Sequence, residues 1–420
     1  MKYNRYEIGP YNLHVINTDK FKKNVINVSF KEKVKKENLT IRNFLAAILL
    51  KATKSYPDER SMAIKSEELY NIVYDSSSTI YGNYSIMNFE ITFLDTKYTS
   101  TELLKDSVEF LTEIIFNPNV KDNQFDEKIF EMTKEELKLD IEAINENPQK
   151  KASKLLFENM DKSAPFAYLA DGYIEDLDNI TNKELYDYYK NVLKSNLVDI
   201  FVIGNNLDNI KELIINNFKI NTIKKPATNY YLVHNKFRKR VKTVKEKETI
   251  NQSVLKIGFK FDNLTEFERK YVLNIYNYIL SGGPDSKLFK NVREKNSLCY
   301  NVKSNISKIF NLMIITAGID AKNYKKTVSL IKKELKNMEK GDFSEEEINS
   351  AKAIYNSSIL SMQDSPYNLI GVYKAKEYLN LDPIEVRIEE IKKVSKEDIV
   401  KLSKKIKMDT IFLLEGECDE

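Results

Sequence analysis

Two histidines, His14 and His234, and two cysteines, Cys299 and Cys418, are the whole supply of soft metal ligands in this chain. They are also the usual members of nucleophile–base pairs. A zinc site takes three or four such donors at reachable spacing. His14 falls in a strand-like run and His234 in a distant basic stretch, so each reads as an ordinary strand or surface residue. The cysteines form neither a disulfide framework nor a metal motif. No phosphate loop, dinucleotide fingerprint or nucleophile elbow occurs. Gly282 and Gly283, followed by Pro284, Asp285 and Ser286, mark a turn ahead of a helix. Arg293 and Tyr300 stand seven positions apart. Without context they are a solvated helix residue and a strand aromatic.

The elements that must position these groups alternate strands and helices, without the short regular rhythm of a parallel nucleotide-binding fold. Residues 12–17, 25–30 and 85–93 alternate apolar and polar types, as half-buried strands do. Thr40 reads as a helix N-cap ahead of Ile41, Phe44, Leu45, Ile48 and Leu49, with Ala46, Ala47 and Leu50 apolar on the other sides. A helix apolar nearly all round belongs inside a protein. Long charged helices follow at 100–116 and 123–144, another at 181–191, a buried-type strand at 197–203 and a helix at 208–217. The second half repeats this grammar. Strands are predicted at 253–261, 298–305, 312–319 and 411–414, and helices at 265–280, 323–338 and 344–362. One order of elements used twice suggests duplication, and strands flanked by long helices within each half predict α+β layers.

At 420 residues the chain suits two domains of about 200 residues each. The division expected is residues 1–220, a linker over 221–250 that holds Pro226, and a second domain over 251–420. A hydrophobic share of 42% with 25 Tyr and 21 Phe supplies real cores and excludes the disordered class. Net charge is +4, from 66 basic and 62 acidic residues, too small an excess to argue for nucleic acid or an anionic membrane. The run Lys236–Lys247 carries seven basic residues and one acid. No aromatic platform or recognition helix accompanies it, so it reads as a solvated linker leading into a solvent-facing strand. The longest apolar run, Phe44 to Leu50, has seven residues, whereas a bilayer needs about 20. Met1 to Glu7 has no apolar segment behind its charges and does not read as a signal peptide. A reduced, soluble, cytoplasmic protein is expected.

The stretch from Asn43 through Ala46, Ala47 and Lys51 to Tyr56 and Pro57 resembles the zinc helix of the insulinase and mitochondrial processing peptidase family. Members there carry His-x-x-Glu-His, an apolar stretch, and then a segment close to Lys-Gly-Thr-x-x-Tyr-Pro. Two imidazoles at i and i+4 face one metal, and the glutamate between them activates water. In this chain the histidine positions are Asn43 and Ala47 and the glutamate position is Ala46. The resemblance places the third ligand on the helix before Pro148, near Asp140, where one carboxylate without imidazoles makes no zinc site. It covers most of the chain. Ser163–Phe166, Asp176–Thr181 and Val202–Asn205 fall where the family has a Pro-aromatic segment, a helix-opening threonine and a strand ending in glycine. Residues 282–302 are similar to the family's most recognisable C-terminal segment, and within them Arg293 and Tyr300 match the arginine and tyrosine that reach toward substrate.

The resemblance implies two homologous α+β halves, each a mainly antiparallel sheet flanked by long helices. It implies loss of the metal ligands with retention of the substrate pair. Some bacterial members divide the work between two homologous chains, one bearing the zinc motif and the other contributing the arginine and tyrosine. The expectation is therefore a non-catalytic subunit with no cofactor of its own. Its partner would be a homologous zinc-bearing subunit and its substrate an extended peptide paired along a sheet edge. Neither nucleic acid nor membrane is expected as a partner. The rival expectation is an inert scaffold, or a peptide-binding protein of the same fold.

Overall fold

The computed structural model describes residues 1–99, 102–220, 229–234 and 236–417. Ser100, Pro226 and Cys418, which figure in the expectations above, lie outside the described residues. The chain divides into two compact units. The first is Met1–Ala143 with Tyr168–Asn229 and Asp364–Tyr373. The second is Ile144–Ala167 with Tyr230–Gln363 and Lys374–Glu420.

In chain order the strands and helices begin β1 (Lys2–Ile8), β2 (Tyr11–Asn17), β3 (Lys23–Lys33), α1 (Leu39–Ile48), α2 (Glu59–Glu68), β4 (Val73–Tyr81) and β5 (Tyr84–Leu94). Next come α3 (Leu103–Phe116), β6 (Val120–Lys121), β7 (Gln124–Phe125), α4 (Glu127–Glu146), α5 (Pro148–Asp161), α6 (Ile174–Asn179), α7 (Asn182–Ser195), β8 (Leu197–Gly204) and α8 (Ile210–Asn217). The later elements are β9 (Lys242–Glu248), β10 (Ser253–Phe261), α9 (Leu273–Ser281), β11 (Cys299–Ser307), β12 (Leu312–Ile319), α10 (Tyr324–Lys340) and α11 (Glu345–Ser361). The last are α12 (Pro366–Leu379), α13 (Ile384–Lys392), α14 (Lys396–Ser403) and β13 (Ile406–Gly416).

The first unit holds a six-stranded sheet, β1-β2-β8-β3-β5-β4, and the second a five-stranded sheet, β11-β12-β10-β13-β9. Written outward from the one parallel pair in each, the orders are β2-β8-β3-β5-β4 and β9-β13-β10-β12-β11. The same path is walked twice. Each sheet is mainly antiparallel, with one parallel pair, as the resemblance implies. In the first unit period-two alternation sends Leu13, Val15, Val28, Phe30, Phe89, Ile91, Ile200 and Val202 into a core shared with α1, α3 and α7. In the second, α5 packs on β10 and β13 through Ala152, Leu156 and Met160 against Val254, Phe412 and Leu414.

Three local expectations change. Thr40 is not the cap of α1, whose N-cap is Asn38. Thr40 is buried, its hydroxyl accepting from the Tyr173 N–H at 3.1 Å and donating to Asp176 at 3.1 Å, so it ties α1 to the start of α6. The helix expected from residue 123 starts at Glu127, because Asp122 and Asn123 take φ of 53° and 63° in the turn of the β6–β7 hairpin. His14 is a strand residue, one of the two readings offered, and not a surface one. It is wholly buried on β2, 2.9 Å from the Tyr3 hydroxyl, with its ring stacked on Phe201.

Candidate functional site

α1 is apolar nearly all round because it is enclosed: Leu39, Phe44, Leu45, Ala46 and Ile48 are all buried. So is Arg42, which donates to the carbonyls of Phe30 (2.5 Å) and Ser85 (3.5 Å), to Asn196 (2.9 Å) and to the Tyr188 hydroxyl (3.2 Å). These bonds, with Glu32 at 3.7 Å, fix the rotation of the helix. The next residue, Asn43, is half-buried and spends an amide N–H on the Asp171 carbonyl at 3.1 Å. Ala47 lies one turn further on the same stripe, and the Ala46 carbonyl accepts from the Ser76 hydroxyl of β4 at 2.8 Å.

A zinc ion does not fit this set. One engaged neutral amide and two methyl groups replace the imidazoles and the carboxylate that would hold it and activate water. Asp140 stands exposed on α4. α4 meets α1 through Phe130, whose ring stacks on Phe44 at 4.9 Å, and Glu136 lies 2.7 Å from Lys51, just past the end of α1. Between them Thr133 is fully buried, its hydroxyl on the Ile129 carbonyl at 2.7 Å. Among the described residues no three His, Cys, Asp or Glu side chains gather into a metal set.

The second unit builds a different site. Arg293 belongs to a wide-turned helical segment, Phe289–Glu294. The chain then reverses tightly. The Ser297 N–H donates to the Arg293 carbonyl (2.8 Å), the Leu298 N–H donates to the Val292 carbonyl (3.2 Å), and Ser297 takes a φ of 49°. This reversal returns Tyr300, at the start of β11, to Arg293. Both line one cavity of about 440 Å³, with Gln252, Leu298, Cys299, Gly318 and Asp320 among its walls. Between Cys299 and Val302 the register against β12 slips by one residue, so Tyr300 and Asn301 drop out of the ladder. Tyr300 is 84% exposed, and its hydroxyl is free to meet a ligand. The Arg293 guanidinium lies over the Phe289 ring at 4.6 Å and 3.9 Å from Glu294. Burial pushes the Cys299 thiol up to about 11, against a small opposing pull from Arg293. The thiol is therefore wall rather than nucleophile.

Gly282 and Gly283 sit elsewhere. The Gly282 N–H closes α9 on the Tyr278 carbonyl at 2.8 Å, and a Cβ there would come within 2.5 Å of Tyr278. Both glycines line another cavity, of about 430 Å³, with Asp285, Lys290, Ser344 and Glu347. Gln252 and Asp320 had no local signal. They join Arg293 only through the register of β10 and β12, in which Ser253 opposes Ile319.

The peptidase M16 inactive domain matches residues 179–355 of this chain. A Bacillus subtilis (strain 168) protein described as the probable inactive metalloprotease YmfF is 30% identical over 417 residues, which cover 97% of this chain and 96% of that one. A crystal structure of a conserved protein from Enterococcus faecalis V583 superposes with a TM-score of 0.90 at 28% identity, over 100% of this chain and 99% of that one. A peptidase M16 inactive domain from Pseudomonas fluorescens shares the fold at a TM-score of 0.81 and 15% identity, over 99% of each chain.

Proposed function

The chain belongs to the M16 peptidase family, among its inactive members, and on that premise we propose that it is the substrate-binding subunit of a two-subunit zinc metallopeptidase. The metal and the water it would activate belong to a homologous partner chain. This chain supplies the grip. Arg293 offers a forked cation and Tyr300 a phenol, both at the mouth of one cavity, to the carbonyl oxygen of a bound peptide. Hydrogen bonds that tighten as negative charge grows on that oxygen favour the transition state over the substrate. Backbone pairing of an extended peptide along a strand edge would make selection depend on length more than on sequence.

The observation that carries this reading is an asymmetry of loss. On α1 every position that would touch a metal is chemically silent, whereas the Arg293–Tyr300 pair is intact, solvent-facing and aimed into a cavity. An inert scaffold has no use for a tyrosine left 84% exposed by a bulge.

The purified chain and its zinc-bearing homologue, mixed with an internally quenched peptide, test the proposal. Arg293→Ala is expected to lower turnover by about 10²-fold, the usual loss for one oxyanion donor, while the two chains still co-elute on size exclusion. Tyr300→Phe should lose about tenfold or more, because only the hydroxyl goes. Equal turnover by wild type and Arg293→Ala would falsify the assignment.

A further inference from the structure

Four lysines among the described residues are buried: Lys31, Lys256, Lys260 and Lys270. Three of them hold an acid. Lys31 pairs with Asp199, Lys260 with Asp409 at 3.3 Å, and Lys270 with Glu266 at 2.6 Å and Asp382 at 3.1 Å. Lys256 is the exception. At 6% exposure its one hydrogen-bond partner is the Thr316 hydroxyl, at a long 3.4 Å. A buried ammonium without a counter-charge is costly, so such a group either sheds its proton or marks a place that an anion completes.

The sheet register shows where that anion would come from. Lys256 on β10 opposes Thr316 on β12, which in turn opposes Lys303 on β11. Two amines therefore stand in one row across three strands, on one face of the sheet. Lys303 is exposed, and among the described residues it has no acid beside it either. The neighbouring row on that face is Val254 and Gly318, about 7 Å away along the strands. Gly318 and Gln252 are walls of the Arg293–Tyr300 cavity. A Cβ at Gly318 would come within 2.5 Å of the Gln252 amide, so the Gln252 side chain lies over Gly318 and the approach from the cavity to the amines runs past that amide, on the side of exposed Lys303. The acids of that cavity are otherwise placed. Glu294 sits 3.9 Å from Arg293, and Asp320 lies beyond the end of β12, on the far side of Gly318 from Thr316. Burial first, and then the Lys303 charge, lower the Lys256 amine to about 8, as expected where two cations face each other without an anion.

Building on the peptide-binding reading, we infer that Lys256 and Lys303 form a carboxylate-accepting subsite that takes an acidic side chain, or the terminal carboxylate, of the peptide held at Arg293 and Tyr300. Lys256 is its base and Lys303 its rim. The chain thus selects acidic peptides, although nothing about its net charge of +4 requires that.

The experiment is fluorescence-polarisation binding of the full chain to labelled twelve-residue Ala/Ser peptides carrying one Glu, or one Gln, at successive positions. A further pair differs only in a free or amidated C-terminus. A single register should appear in which Glu beats Gln by about tenfold, or else the free acid should beat the amide by that factor, which separates the two sources of carboxylate. Lys256→Met should abolish the preference and Lys256→Arg should keep most of it. Lys303→Met should weaken it by about threefold, and Lys325→Met, at an exposed position of α10, should leave it unchanged. Thermal melts of Lys256→Met should show no loss, since the change removes an unpaired buried charge at similar volume. Peptides that bind with no preference for the charged form, or a preference that survives Lys256→Met, overturn the subsite alone. Failure of every peptide to bind the wild type overturns both the subsite and the reading beneath it.

Discussion

Asp199 and Lys31 form the most deeply buried ion pair among the described residues, 1% and 5% exposed, and the wholly buried His14 reaches the same carboxylate at 3.8 Å. Asn12 adds a hydrogen bond to Asp199 at 2.8 Å. Burial alone would raise the Asp199 carboxyl, but Lys31 and His14 outweigh it and hold the group well below the usual carboxylate range. The linkage follows. A carboxyl whose folded value lies below its unfolded value, about 4, adds stability above that value and loses it as pH falls from there toward the folded one. Urea midpoints should therefore drop on acidification below about pH 4, and Asp199→Asn should flatten that part of the profile. At neutral pH the same variant takes the carboxylate away from the buried Lys31 ammonium and is expected to cost about 3–5 kcal/mol. A loss under about 1 kcal/mol would mean that water reaches Lys31. Set against this pair, the silence of Lys256 is informative, because the fold elsewhere supplies an acid wherever a strand lysine is buried.

At the scale of elements, the sequence was readable where one periodicity served one environment. β12 is found at Leu312–Ile319 as expected, and α11 within one residue of each expected end, because alternation and a Ser344 capping box state those elements locally. Thr40 was misread because cap chemistry and a buried tertiary hydrogen bond call for the same hydroxyl. The start of α4 was misread because left-handed turns at Asp122 and Asn123 leave little trace in composition. The candidate site divides in the same way. Arg293 and Tyr300 are visible through a matched segment, whereas Gln252 and Asp320 join them only through strand register. The bulge between Cys299 and Val302 was equally hidden, and it is what frees Tyr300. Deleting Asn301 would restore a regular ladder and set Tyr300 opposite Gly318, fixed on the sheet. Peptide turnover with the zinc-bearing homologue should then fall at least as far as in Tyr300→Phe. The urea midpoint should change little, since one ladder step is regained for one residue lost. Full activity in the deletion variant would show that the bulge does not aim the phenol.

For the molecule as a whole, the two units repeat one strand path yet have kept different chemistry: the first has a helix cleared of ligands, the second a cation and a phenol at a cavity. On the proposed reading, a chain so divided works beside another that has kept what it lost, and association precedes activity. The forces available for that association can be read from the charge balance. With 66 basic and 62 acidic residues the surface field is weak, and long-range steering of a partner has little to act on. Large apolar side chains that remain exposed on helices, Leu139 at 65% and Leu360 at 49%, are better suited to contacts that salt does not screen. Sedimentation of the mixed chains should thus show a one-to-one complex whose affinity shifts less than about threefold between about 0.05 M and 0.5 M salt. Elemental analysis of that complex should give one zinc per pair, and zinc should leave with the partner when the chains are separated. Zinc that stayed with this chain, or a complex dissolved by the higher salt, would require a different source for both the metal and the contact.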